Sequence, residues 1–255
     1  MMQRVLLIDG LNLVRRIFEA RGATAGAEFV QSCTQSLQRC LADLHPSHAV
    51  VIWDSQEPTW RHLLASEYKA NRPPTPPELV SALPDLERAF AEIGVASLTV
   101  PNYEADDVIA TMSVKLKTAE HTEAVIVSTD KMFYPMLLNG AQIYHQFDRQ
   151  FIQPETVAAR YQLGLAQLMD YWALSGDNSN NVKGVPGVGK KTATELLQTH
   201  GDIATMLQAL PEQTKGALKK VQQHEQTLSR CQQLVQLKTD VELGVNLKDY
   251  RLDEA

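Results

Sequence analysis

The chain has 255 residues, with 24 basic and 30 acidic side chains and a net charge of −6. That length can hold one large domain with a smaller one attached, and 44% hydrophobic with 21% charged residues is ordinary globular composition. A uniformly basic nucleic-acid-binding protein and an extensively disordered chain are therefore excluded. The sign of the net charge does not exclude DNA, because cations bound to a local acidic cluster would offset much of it.

Three short apolar runs, each followed closely by an aspartate, are predicted to be strands buried on both faces. They are residues 5–8, 49–53 and 124–127, and residues 95–100 are a candidate for a further strand. Helical periodicity lies between them, over residues 29–44, 77–93 and 106–116. This alternation predicts an α/β fold with a mainly parallel central sheet flanked by helices.

Acidic residues lie where these predicted strands end. The set comprises Asp9, Asp54 and Asp130 after strands, Glu104, Asp106 and Asp107 at the start of a helix, and Asp177 in a later turn. The carboxyl ends of parallel strands form one crevice, and carboxylates gathered there repel one another unless a cation lies between them. Mg²⁺ prefers such oxygen ligands. Each residue alone could be a turn or capping residue, and only the set is specific.

A long excursion over residues 55–79 lacks clean periodicity and contains Tyr68, Lys69 and Arg72. Loops of this length are more often functional than idle, although a plain surface loop is the alternative. Lys69 and Arg72 would ordinarily be solvated cations. Beside Tyr68, whose ring face can stack on a base, they fit a contact to a single strand.

The sequence turns mostly helical after residue 153, which predicts domains at 1–153 and 154–255. The glycine-rich segment near residue 187 nearly matches a nucleotide-binding loop, but Lys191 occupies the Ser/Thr position and a polar turn precedes it instead of a strand. A hairpin between helices, over residues 182–200, suits the residues better. Its glycines let the backbone approach a phosphate, and Lys190 and Lys191 add positive charge.

Cysteine usage and the absence of long apolar segments indicate the compartment. Cys33, Cys40 and Cys231 form no CxxC pair and are predicted to be buried free thiols. The apolar stretch before Asp9 is too short for a signal sequence. We therefore expect a soluble protein in the cytoplasm with no membrane partner.

Taken in chain order, the motifs resemble the 5′-nuclease or flap endonuclease family, which includes the N-terminal nuclease domain of bacterial DNA polymerase I. They are Asp9-Gly10-Leu11-Asn12, Trp53-Asp54, the segment 68–74, Glu104-Ala105-Asp106-Asp107, Ser128-Thr129-Asp130-Lys131, and Gly176-Asp177 leading into 184–189. The resemblance covers nearly the whole chain. A chain without a polymerase is similar to the stand-alone bacterial flap endonucleases of the exonuclease IX type.

The resemblance implies magnesium-dependent hydrolysis of branched DNA with a 5′ single-stranded flap, in replication and repair such as Okazaki fragment processing. It implies that Lys69 and Arg72 are catalytic and that the acidic set above binds metal. Two family carboxylates are replaced here by Met132 and Asn180. Both belong to the second metal site in the family, so we expect one tight ion and one weak ion, with Mn²⁺ able to substitute.

The resemblance further implies a helix-hairpin-helix motif, of the H3TH type, that holds K⁺ and grips DNA. The K⁺ ligands would be mainly backbone carbonyls, at Leu174, Ser175, Lys183, Val185 and Val188. The DNA contacts would be Tyr68, Gly187, Val188, Gly189, Lys190, Lys191 and Thr192. Recognition would then depend on shape and backbone, without base reading.

Three other functions compete with the flap endonuclease. A DNA-structure-binding protein whose second metal site has decayed is favoured by Met132 and Asn180. A PIN-like ribonuclease shares carboxylates at strand ends, but the hairpin and the segment 68–74 count against it. A haloacid dehalogenase phosphatase fits poorly, because Leu11 stands where a second aspartate is needed.

Overall fold

A computed structural model describes residues 2–208 and 215–252, which fall into two compact units. The α/β unit comprises the chain up to residue 59, residues 74–152 and the chain from residue 237 onward. The helical unit comprises residues 60–73 and 153–236. Relative to the predicted domains, residues 60–73 therefore group with the helices, and the C-terminal segment groups with the sheet.

The α/β unit is built on a six-stranded sheet, which confirms the predicted fold class. Its strands are β1 (Gln3–Asp9), β2 (His48–Trp53), β3 (Ala96–Thr99), β4 (Thr122–Val127), β5 (Gln142–His145) and β6 (Gln150–Phe151). The order across the sheet is β3-β2-β1-β4-β5-β6, with every pair parallel except β5 and β6. The carboxyl ends of β1, β2 and β4 consequently lie along one edge.

Helices cover both faces of this sheet. They are α1 (Gly10–Ala20), α2 (Ala27–Leu44), α4 (Pro77–Glu92) and α5 (Ala105–Lys117). Leu6 and Ile8 pack in one core with Phe29 of α2 and Phe90 of α4. Strand side chains alternate between faces, so the intervening residues of β1 point to the other side, where α5 packs against β1 and β4. Burial on both faces explains why these strands read as continuous apolar runs.

The helical unit contains the remaining helices. They are α3 (Trp60–Leu64), α6 (Pro154–Tyr161), α7 (Leu168–Ser175), α8 (Lys190–His200), α9 (Ile203–Gln208), α10 (Gly216–Gln223) and α11 (Glu225–Val235). Helix α7 packs against α8 and α11, and Trp172 of α7 is buried. Arg61 of α3 is also buried, and its guanidinium donates to the carbonyls of Leu234 (3.0 Å) and Gln236 (2.8 Å). These bonds attach α3 to the end of α11.

The three cysteines are free and buried, as predicted. Burial raises the pKa of the Cys33 thiol to about 12, which makes it an unreactive packing residue. Across residues 2–208 and 215–252, no helix combines the length and apolar character needed to cross a membrane. The cytoplasmic location stays a prediction.

Candidate active site

Asp9 is the most buried of the strand-end aspartates, with 7% of its surface exposed. It ends β1 and caps α1, because its Oδ1 accepts a hydrogen bond from the backbone N–H of Asn12 (3.1 Å). Its Oδ2 accepts from the Ser128 hydroxyl (2.8 Å). Burial, followed by repulsion from Asp54 and Asp130, raises the pKa of Asp9 to about 7. Asp9 therefore experiences the charge of carboxylates that follow two other strands.

Asp54 follows β2 and faces the start of α5. Its Oδ1 accepts from the N–H of Ala105 (2.7 Å), which satisfies one of the free donors of that helix N-terminus. Glu104 is the capping residue of α5 and is buried, and Asp106 is half-buried in the first turn. The β2 end and the α5 start are thus joined through a carboxylate.

Asp107 has a different environment from its neighbours. It is fully buried, and its Oδ1 accepts from the backbone N–H of Lys238 in the C-terminal segment (2.9 Å). The same segment bonds Thr111 one turn later, through the carbonyl of Lys238 (3.2 Å). This contact shows how Asp107 holds the C-terminal segment against α5.

Asp130 ends the loop after β4 and caps a 3₁₀ helix, Lys131–Asn139, by accepting from the N–H of Met132 (2.9 Å). Asn12 joins this loop to α1, since its Oδ1 accepts from the N–H of Thr129 (3.1 Å) and its Nδ2 donates to the Thr129 hydroxyl (3.0 Å). Asn12 and Ser128 lie within the motifs that carry the resemblance, but their positions in the sequence do not predict these contacts.

The predicted acidic metal ligands of the α/β unit, here called the carboxylate set, have the chemistry of a site for a hard cation; they are Asp9, Asp54, Glu104, Asp106, Asp107 and Asp130. The donors of this set are oxygen atoms only, and ionised Asp9 is destabilised by burial and by two like charges, which a cation would relieve. In the described residues, however, no group of three or more Asp, Glu, His or Cys side chains has the spacing of a preformed metal site. Asp9, Asp54 and Asp130 instead direct oxygens at backbone N–H groups.

Asp177, in the helical unit, lies in a tight loop. Its backbone pairs with Val182 in an antiparallel bridge, and its carboxylate accepts from the Ser179 hydroxyl (2.8 Å) and the Asn180 side-chain amide (2.8 Å). Both Asp177 and Asn180 are buried.

The predicted catalytic and stacking residues of the segment 68–74 also lie in the helical unit. Arg72 is exposed, and Lys69 is half-buried with its Nζ 5.2 Å from the ring centroid of Tyr68. Tyr68 is only 4% exposed and packs edge-on against His62. Such burial is typical of a packing residue and disfavours Tyr68 as a platform for a base.

The hairpin is held by two glycines in close contact with backbone. Gly184 has φ +69°, and a Cβ added there would lie 2.3 Å from the Gly176 nitrogen and 2.6 Å from the Leu174 carbonyl oxygen. Gly176 has φ +80°, and its Cβ would lie 2.8 Å from the Lys183 carbonyl oxygen. Only glycine fits both positions. The backbone segments at Gly176 and Gly184 therefore cross in close contact. The carbonyls of Leu174 and Lys183, which belong to the predicted K⁺ set, lie at this crossing.

The remaining predicted hairpin residues divide by exposure. Ser175 and Thr192 are half-buried, and Val185 and Val188 are buried and joined by a backbone hydrogen bond (2.9 Å). The exposed residues are Gly187, Gly189, Lys190 and Lys191, at the start of α8. No acidic residue occupies the first turn of α8. A helix N-terminus with exposed lysines suits an anion.

Two family profiles together span nearly the whole chain. Residues 4–162 match the 5′-3′ exonuclease N-terminal resolvase-like domain, and residues 163–255 match the 5′-3′ exonuclease C-terminal SAM fold. The chain belongs to the 5′-3′ exonuclease family. The family boundary at residue 162 falls at the end of α6.

Full-length relatives carry a more specific name. The chain is 37% identical to Flap endonuclease Xni of Psychromonas ingrahamii, in an alignment that covers 100% of this chain and 99% of the relative. It is 39% identical to Flap endonuclease Xni of Yersinia pseudotuberculosis over 250 residues, which is 97% and 98%. The resemblance to stand-alone bacterial flap endonucleases is confirmed.

Solved structures share the fold. A structure titled divalent metal ions (zinc) bound to T5 5′-exonuclease aligns with a TM-score of 0.79 at 21% identity, over 91% of this chain and 89% of that chain. The catalytic core of Rad2 in complex with DNA substrate aligns with a TM-score of 0.56 at 13% identity, over 97% of this chain and 83% of that chain.

Proposed function

We propose that this protein is a structure-specific 5′ flap endonuclease that hydrolyses phosphodiester bonds in branched DNA with a free 5′ end, in replication and repair. The observation that carries this proposal is the buried Asp9 carboxylate beside Asp54 and Asp130, at the carboxyl edge of the sheet. The full-length relatives named flap endonucleases support the same activity.

A divalent cation fits the carboxylate set, and Mg²⁺ is the proposed ion, with Mn²⁺ able to replace it. The residues that would hold it, directly or through water, are Asp9, Asp54, Glu104, Asp106 and Asp107. Oδ1 of Asp107 also accepts from the backbone N–H of Lys238. When bound, the ion supplies a Lewis acid that lowers the pKa of water beside the scissile phosphate. The T5 5′-exonuclease structure of this fold, titled with bound divalent metal ions (zinc), supports a divalent ion in this nuclease family.

A second, weaker ion is proposed because two carboxylates of the family pattern are absent. Met132 is buried and apolar, so it offers no oxygen ligand. Asn180 is neutral and already engages Asp177. Asp130 and Asp177 are then the acidic residues left to attract that ion, and high concentrations of divalent cation are expected to be needed for full activity.

The chain's cations complete the proposed machinery. Lys69 and Arg72 would stabilise negative charge on the scissile phosphate. The hairpin would grip the duplex backbone through Gly187, Gly189 and Lys190, with K⁺ bound to carbonyls of the hairpin turn. This arrangement reads no bases, so recognition depends on branched shape.

Incubation of the protein with 5′-labelled substrates and Mg²⁺ tests the function. We expect one main cut near the junction of a DNA flap, little cutting of blunt duplex, and no product from Asp106→Asn. If the wild-type protein binds the flap and forms no product, the DNA-structure-binding function is favoured instead. Faster cutting of an RNA flap than of a DNA flap would favour the PIN-like ribonuclease.

A further inference from the structure

Residues 67–72, here called the docked segment, are fixed to the Asp177 loop within the helical unit. Five hydrogen bonds join them: Lys69 N–H to Asn180 O (3.0 Å), Asn71 Nδ2 to Asn178 O (2.7 Å), Arg72 Nε to Ser179 O (2.6 Å), Arg72 Nη2 to Asn180 Oδ1 (2.7 Å) and Asn181 Nδ2 to Glu67 O (2.6 Å). Lys69 has φ +54°, a left-handed conformation that costs about 1 kcal/mol or more outside glycine. The bonds around it offset that cost.

The Asn180 side chain lies at the centre of this network. Its Oδ1 accepts from the Arg72 guanidinium (2.7 Å), and its Nδ2 donates to Asp177 Oδ2 (2.8 Å). A guanidinium only donates and a carboxylate only accepts, so one orientation of the amide satisfies both partners. Asn180 is 6% exposed and Asp177 is 3% exposed, which makes either contact costly to leave unmade.

An aspartate at position 180 could accept from Arg72 but could not donate to Asp177. The carboxylates of positions 177 and 180 would then lie as close as Asn180 Nδ2 and Asp177 Oδ2 lie now (2.8 Å). Their repulsion would require a cation between them. The amide joins the same two groups without a metal ion.

We infer that Asn180 is a positioning residue that holds Arg72 and Asp177 in register, so that the docked segment is ordered before a divalent ion or DNA binds. The effect of Asn180 on catalysis rests on the proposed function, in which Arg72 contacts the scissile phosphate. The ordering of the docked segment by Asn180, the structural part of the inference, does not depend on cleavage.

Hydrogen exchange of the full-length protein in EDTA tests the structural part. In Asn180→Leu and in the isosteric Asn180→Asp we expect peptides covering the docked segment to exchange about tenfold faster than in wild type, since a buried hydrogen bond to a charged group is lost. Asn178→Asp, the same change two positions away on an exposed residue, should exchange like wild type. Millimolar Ca²⁺ should restore protection in Asn180→Asp and not in Asn180→Leu.

Wild-type protection of the docked segment in both position-180 variants in EDTA would overturn the inference. The isosteric variant keeps the test valid if Asn180→Leu fails to fold. In flap cleavage we expect Asn180→Leu to lower kcat about tenfold with a smaller change in KM, because Arg72 acts in the transition state. If wild type cuts no flap, the proposed function fails. The exchange results still decide whether Asn180 orders the docked segment.

Discussion

At the residue scale, the pKa of Asp9 links the proposed binding of a divalent ion to stability. Its ordinary value of 3.8 rises to about 7 in the folded protein. Between these values the metal-free folded state binds more protons than the unfolded state, so the contribution of Asp9 to stability falls as pH rises from about 4 to about 7. The full difference between the two pKa values corresponds to a loss of at most about 4 kcal/mol in the free energy of unfolding.

Replacing Asp9 by Asn should remove this dependence. In EDTA, the free energy of unfolding of Asp9→Asn relative to wild type should increase from pH 4 to pH 8, because the variant has no carboxylate to ionise in the core. Denaturant titrations at several pH values would measure it. Added Mg²⁺ should stabilise wild type at pH 8 and have little effect on the variant. Parallel pH profiles for the two proteins would contradict this account.

Lys69 tests the proposed electrostatic role of the docked segment. Lys69→Ala should lower the single-turnover rate of flap cleavage by about 10²-fold to 10³-fold, because a cation aimed at developing charge is lost. Flap affinity should change far less. Lys117→Ala, at an exposed position near the end of α5, is the matched control and should cut normally. An equal loss in both variants would remove Lys69 from the mechanism.

At the element scale, the hairpin depends on the crossing of Gly176 and Gly184. Gly184→Ala should lower the free energy of unfolding by about 3 kcal/mol, since the new Cβ meets backbone and φ is positive. We expect the same variant to lose duplex binding and any stimulation of that binding by K⁺. Gly26→Ala, in the α/β unit and outside the hairpin, is the control, because a Cβ there meets nothing within 4 Å. Gel-shift and denaturation assays on both variants would check the pair.

The elements that could be predicted from sequence are those whose buried residues form a regular pattern, either a continuous apolar run or a helical periodicity. Strands β1, β2 and β4 each contain a continuous buried apolar run, over residues 5–8, 49–53 and 124–127, because helices cover both faces, and α2, α4 and α5 show clear periodicity. The sequence pattern predicts neither the short strands β5 and β6 nor α1, although Asp9 is the capping residue of α1. The sequence predicts Asp9 as a metal ligand, and in the structure its carboxylate caps this helix.

At the scale of the whole molecule, non-local contacts decided what the sequence could not. Nothing in the segment 60–73 predicts its grouping with the helical unit, which rests on bonds such as Arg61 to Leu234, 173 residues apart. The identity of the strand-end carboxylates was predictable from the order of parallel strands. Their hydrogen bonds to helix N-termini were not, because they depend on where neighbouring helices begin.

The net charge of −6 makes the salt dependence of DNA binding informative. Binding through phosphate contacts should weaken steeply with salt, and Lys190→Ala or Lys191→Ala should each reduce the slope of log affinity against log salt by about 1. Fluorescence anisotropy in Ca²⁺ would measure it. An unchanged slope in both variants would place the DNA contacts elsewhere on the protein.

The metal dependence of single-turnover flap cleavage decides whether Asp9 and its neighbours bind a divalent ion that DNA cleavage requires. We predict no product in EDTA, a rate that rises with Mg²⁺ concentration, and no recovery in Asp9→Asn at any Mg²⁺ concentration while the flap still binds. Cleavage in EDTA, or wild-type rates from Asp9→Asn, would show that cleavage requires no ion at Asp9.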